Sequence, residues 1–69
     1  MSFADYLKKY RIECELSRPQ LARAIGADPV TVWQWEAEVC EPRRKVLGKL
    51  ISFFEEKLGD NFDAENLLK

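Results

Sequence analysis

Between Ser17 and Pro29 the chain holds two helix starts with a helix stop between them, and this punctuation limits the fold more than any other feature. Ser17 is an N-cap candidate, and Pro19 lies early enough to occupy the first turn of the helix that follows. Leu21, Ala22 and Ile25 give that helix an apolar face, and Gly26 ends it. Asp28-Pro29 then starts another helix, an Asx cap with proline at N1, about three residues later. Two short helices joined by a tight glycine-containing turn is the helix-turn-helix arrangement. Gly26 supplies a positive φ where the turn needs one, and Ala22 is small enough for the second helix to approach the first closely.

The flanking sequence reads as helix too. Ser2 and Asp5 resemble a capping box, with Asp in the usual Glu position. Phe3, Tyr6, Leu7, Tyr10 and Cys14 then recur at helical spacing. Pro42 interrupts the chain, since it disfavours helix at Glu41. From about Arg43 a longer helix carries Val46, Leu47, Leu50, Ile51, Phe53, Phe54 and Leu58 and ends near Gly59. Asp60 or Asn61 is expected to cap a last short helix with Phe62, Leu67 and Leu68. No segment sustains strand-like alternation, and there is no linker, repeat or low-complexity stretch. The expected fold is all-α: one domain over residues 1–69, a compact bundle of four or five short helices with a central helix-turn-helix at about 17–37.

The second helix of the motif contains both tryptophans, two positions apart and therefore ~200° apart around its axis. Val32 and Trp35, three apart, are expected to form the buried stripe. Val30, Trp33, Gln34 and Ala37 then point away from the core. Trp33 is open to three uses: lying across its neighbours, meeting DNA, or meeting a protein.

Composition narrows the function classes. A chain of 69 residues builds one small core, worth only ~3–5 kcal/mol of net stability. Histidine is absent, and there is no Gly-rich phosphate loop or Gly-x-Ser-x-Gly elbow, so an enzyme is not expected. Cys14 and Cys40 are the only cysteines and form no Cys-x-x-Cys. With no signal peptide and no membrane-length apolar run, free thiols and a cytoplasmic location are expected, without metal, cofactor or small-molecule ligand. The net charge of −1 hides an asymmetry: residues 1–49 carry nine Lys/Arg against seven Asp/Glu, and residues 50–69 two against five. A mildly basic front and an acidic tail are compatible with binding a polyanion through one face.

The stretch LSRPQLARAIGADPVTVWQWEAEVCEP resembles the Xre-type helix-turn-helix of the lambda-repressor and Cro-like family. The matching features are Leu16-Ser17, Leu21-Ala22, Ile25-Gly26, Thr31-Val32, Trp35-Glu36 and Pro42. Leu7 and Arg11 extend the match upstream, and Leu47, Leu50 and Phe53-Phe54 extend it downstream. The resemblance covers roughly residues 3 to 58. It implies a sequence-specific DNA-binding regulator, a repressor of phage or mobile-element type, whose second motif helix enters the major groove of double-stranded operator DNA.

Carried over position by position, the resemblance implies that Arg18 meets a phosphate at the start of the first motif helix. It implies that Pro29, Val30, Trp33 and Gln34 stand at outward recognition positions. Gln34 is the best base reader, able to pair bidentately with adenine; Val30 or Trp33 suits a thymine methyl, and Thr31 a phosphate or base edge. Arg43 and Arg44, with Lys45, follow the loop that flanks the DNA backbone in the family and are the expected phosphate clamps. A cationic run at a helix start is unfavourable for the helix dipole, which favours a phosphate role over an idle one.

The chain also departs from the family pattern. Glu38 stands where the family usually has glycine, and Glu15 occupies a turn position that is often glycine. The loop that is often basic reads EVCE, so Glu38 and Glu41 lie near where phosphates would and should weaken non-specific DNA binding. A homodimer reading half-sites ~34 Å apart is expected, with its seam sought among Phe54, Leu58, Phe62, Leu67 and Leu68. The alternative is a helical module of the same fold that binds protein through the Trp33 face and acidic loop.

Overall fold

The computed structural model describes residues 1–68, and all regular elements among them are helical. In chain order they are α1 (Phe3–Glu13), α2 (Arg18–Ile25), α3 (Pro29–Glu36), α4 (Arg44–Leu58), a 3₁₀ turn (Gly59–Asn61) and α5 (Glu65–Leu68). The expected all-α bundle is therefore the fold observed.

Each of the first three starts has a chemical cause. The Ser2 hydroxyl accepts from the Asp5 amide while the Asp5 carboxylate accepts from the Ser2 amide, a reciprocal capping box. Ser17 and Gln20 form a second box at α2, from an S-x-x-Q pattern. Asp28 caps α3 through the Val30 amide, with Pro29 at N1. By contrast α4 begins at Arg43 with no side-chain cap.

The first three helices also end alike. After α1 the Leu16 amide reaches the Arg11 carbonyl, and the Glu15 amide reaches that of Ile12. After α2, Ala27 and Gly26 repeat these bonds to Ala22 and Arg23; after α3, Val39 and Glu38 repeat them to Gln34 and Trp35. This is the Schellman pattern, which needs a left-handed residue at its penultimate position. That residue is Gly26 in one case (φ 73°) and glutamate in the other two, Glu15 (φ 59°) and Glu38 (φ 61°).

The core is formed by Leu7, Tyr10, Leu21, Ala22, Ile25, Val32, Trp35, Leu50, Phe54 and Leu67. α2 and α3 form the most extensive helix pair, and Ala22 is fully buried at this close approach. α4 closes the bundle against α2, while α1 packs against both α3 and α5. An aromatic cluster extends this packing to the end of the chain: Phe62 meets the Tyr10 ring edge-on at 4.8 Å, and Phe54 lies 5.7 Å from both rings. The Tyr10 hydroxyl accepts from Asn66 Nδ2 at 2.7 Å, tying α1 to α5.

The C-terminal segment differs from expectation in two respects. Asp60 and Asn61 lie in the 3₁₀ turn, and Asp63 makes the cap, its carboxylate accepting from the Glu65 amide. The helix break is set by Gly59, whose φ of 55° and ψ of −123° suit no side chain. Phe54 and Leu67, expected at a dimer seam, are consumed in the monomer's own core. Of the five seam candidates only Leu68 stands well exposed. No helix among the described residues is long and apolar enough to cross a membrane.

Candidate nucleic-acid interface

The outward face of α3 is displayed as its periodicity predicts. Val32 and Trp35 are buried, whereas Val30 is 60% and Trp33 49% exposed. Ala37 is exposed, and Gln34 is half-buried. The Gln34 carboxamide oxygen accepts from the Cys40 thiol at 3.8 Å, a weak contact that links the helix to the loop following it.

A charge cluster that apolar periodicity alone did not reveal joins the apolar contacts of Val32 and Trp35 in anchoring α3. Glu36 follows Val32 by four residues and therefore falls on the buried stripe, its side chain only 3% exposed. Arg11, four residues after Leu7, sits on the corresponding stripe of α1, its side chain 11% exposed. Arg11 grips the Glu36 carboxylate bidentately, through Nε at 2.6 Å and Nη2 at 3.2 Å. Its Nη1 donates to the Leu16 carbonyl at 2.8 Å, in the turn between α1 and α2. Arg18 adds a third bond to Glu36, from Nε at 3.0 Å.

One carboxylate thus ties α3 to α1 and to the start of α2. No buried side-chain nitrogen or oxygen among the described residues lacks a partner. The spacing contained a signal for this cluster: each charge stands one turn beyond a core residue, a register at which an unpaired ion would be costly.

Arg18, expected at a phosphate, is therefore half committed. Its Nε serves Glu36, its side chain is 41% exposed, and its Nη groups make no hydrogen bond within the described residues. The ion pair orients the guanidinium while leaving both Nη groups, with their four N–H donors, unbonded among the described residues.

The α4 cations divide into two settings. Arg43 shares a groove with Thr31, Cys40, Glu41, Pro42 and Val46, directly beside α3, so Thr31 and Arg43 are brought together. Lys45 instead lines a shallow groove with Ala24, Ile25 and Lys49, between α2 and α4. Arg44 lies between them in sequence, and all three are exposed. None has an ion-pair partner among the described residues. No acidic residue occupies the first turn of α4, which is bordered by cations alone. Glu38 and Glu41 are both exposed, and Glu41 enters the Thr31–Arg43 groove, where it adds a negative charge.

The cysteines are free, Cys40 exposed and Cys14 half-buried beneath the end of α1. Burial first, and the neighbouring Glu13 carboxylate second, push the Cys14 thiol above its ordinary pKa. The arrangement as a whole is a helix face without exposed charge, flanked by Arg43 and Arg44, which have no carboxylate partner among the described residues, and by Arg18, which shares Glu36. Among known proteins no family model, no curated protein and no solved structure matches this chain significantly.

Proposed function

We propose that this chain is a sequence-specific DNA-binding regulator of the Xre helix-turn-helix type, a repressor that lays α3 in the major groove of its operator. The observation that carries this reading is the pairing of an exposed, uncharged α3 face with unpaired cations at the start of α4. Val30, Trp33 and Gln34 are available to base edges, and Thr31 to a base edge or phosphate. Arg43, Arg44 and Lys45, with the outer donors of Arg18, are available to the backbone. Binding as a homodimer to two half-sites about one helical turn apart would add the contacts that one small domain lacks.

Gel-shift titration against duplex DNA flanking the chain's own gene tests the reading. Arg43→Ala and Arg44→Ala are each expected to weaken binding across all sequences and to reduce the salt slope by about one. Folded protein that binds no such duplex at low salt would refute it.

A second reading is favoured by the acids. Glu38 and Glu41 border the same face, and α3 itself bears no cation, a combination suited to a protein partner. Under that reading Trp33→Ala abolishes partner capture, while the arginine substitutions have little effect.

A further inference from the structure

The charge pattern of α3 restricts which base pairs it can read. Its outward face offers exposed Val30 and Trp33 and the half-buried Gln34, with exposed Ala37 just past its end and no Lys or Arg anywhere in the helix. Its one acid, Glu36, is turned inward and held by two arginines. In the major groove guanine presents two acceptors that Arg or Lys grips, and cytosine presents an amino group that a carboxylate accepts. α3 exposes neither partner. Adenine presents an acceptor and a donor that match a glutamine carboxamide, and thymine presents a C5 methyl that an apolar side chain covers. α3 exposes the apolar side chains of Val30 and Trp33 and carries the half-buried carboxamide of Gln34 beside them.

Building on the DNA-binding reading above, we infer that this chain recognises A·T pairs chiefly through thymine methyl groups, with Val30 and Trp33 as the specificity-determining contacts and Gln34 as the adenine reader. Val30 and Gln34 are one helical turn apart, about 6 Å along α3, against about 3.4 Å per base pair. The face therefore spans about two consecutive steps, and the half-site core is a short A·T run. The same contacts account for two large apolar side chains left exposed on a helix whose inner face is fully packed. Covering them with methyl groups removes apolar surface from water on both partners.

The test starts by selecting duplexes from a random-sequence library with the whole chain at low salt. The selected duplex is then resynthesised with deoxyuridine in place of thymidine, which deletes the C5 methyls and leaves the pairing edges unchanged. Wild type is expected to select consecutive A·T pairs and to lose about fourfold in affinity for each contacted methyl removed. Val30→Ala and Trp33→Ala alter exposed side chains, and helical circular dichroism verifies that each variant is folded. Each is expected to narrow the gap between thymidine and deoxyuridine duplexes, and the double variant to close it.

A selected site dominated by G·C pairs would overturn the inference while leaving DNA binding intact. Equal wild-type affinity for the two duplexes would do the same, as would a gap that the double variant preserves. Failure of folded protein to retain any library member overturns the DNA-binding reading itself.

Discussion

Replacing Glu38 by glycine should stabilise this protein, although it deletes a side chain and adds no contact. Glu38 is the left-handed residue of the bond pattern that ends α3, at φ 61°, and Glu15 has the same role after α1 at φ 59°. A left-handed conformation costs an L-residue roughly 1–2 kcal/mol, and glycine returns about 0.5–1 kcal/mol of that through its larger entropy loss on folding. The net conformational gain is therefore about 0.5–1 kcal/mol. Removing an acid from beside a helix C-terminus contributes a further ~0.3–1 kcal/mol at low salt, because the dipole there repels it. The two contributions separate experimentally. Glu38→Ala removes the charge but keeps the backbone penalty, so the difference between Gly and Ala variants isolates φ.

Gly26 provides the converse within the same molecule. A Cβ there would meet nothing within 4 Å, so Gly26→Ala should lose about 1 kcal/mol through backbone conformation alone. Urea unfolding followed by circular dichroism reads all three variants, and an unchanged m-value would exclude altered compactness. In a domain of this size 1 kcal/mol moves the melting temperature by roughly 4–8 °C, well within resolution. If Glu38→Ala matches or exceeds Glu38→Gly, the strain argument is wrong and electrostatics alone governs the site. Because Glu38 borders the proposed phosphate path, Glu38→Gly should also tighten binding to any duplex and steepen its salt dependence.

Other perturbations test the frame around the site. Glu36→Ala leaves the Arg11 guanidinium buried without its carboxylate; a loss of about 3–5 kcal/mol is expected, enough to unfold the domain in a thermal melt. Tyr10→Phe keeps the aromatic cluster and removes only the hydroxyl that Asn66 donates to, so a loss of about 1 kcal/mol is expected. Hydrogen exchange should localise that loss to α5, and an unchanged α5 would contradict the anchoring role. Iodoacetamide at neutral pH should label exposed Cys40 before Cys14, whose burial and raised pKa both suppress the thiolate; mass spectrometry of early digests checks the order.

The parts of the fold legible in the sequence are those decided within one turn of helix. Ser2 with Asp5, Ser17, and Asp28-Pro29 announce their helices because a cap acts on amides two or three residues away. The assignment of Trp35 to the core and Trp33 to the surface followed from period alone, since residues two apart cannot share a face. Less legible was whatever depended on distant partners. The cap of α5 is misread when every Asx after Gly59 looks equally suitable; Asp63 takes the role because Phe62 must first reach Tyr10 and Phe54. The seam candidates Phe54 and Leu67 failed for a related reason, since apolar periodicity marks burial without saying whose surface does the burying.

The Glu36 cluster joins these two levels. Its members come from three helices, and no local rule couples Arg11 to Glu36 across 25 residues. Each nonetheless occupies a core register, and a charge in a core register must find its opposite. A buried ion pair is a poor source of net stability compared with apolar packing, so stability is a weak explanation for placing one here. Its geometry offers a better one. A bidentate Arg11–Glu36 grip adds a directional constraint on rotation of α3 about its own axis to the non-directional apolar contacts of Val32 and Trp35. Rotation of that helix decides whether Val30, Trp33 and Gln34 face outward together. The same carboxylate, through Arg18 Nε, sets where the Arg18 guanidinium stands relative to that face. In this view Glu36 touches no ligand yet determines the register between the two halves of the proposed interface. A Glu36→Gln variant that stays folded should therefore lose sequence discrimination before it loses general affinity for duplex DNA, because phosphate contacts tolerate a rotated helix and base contacts do not.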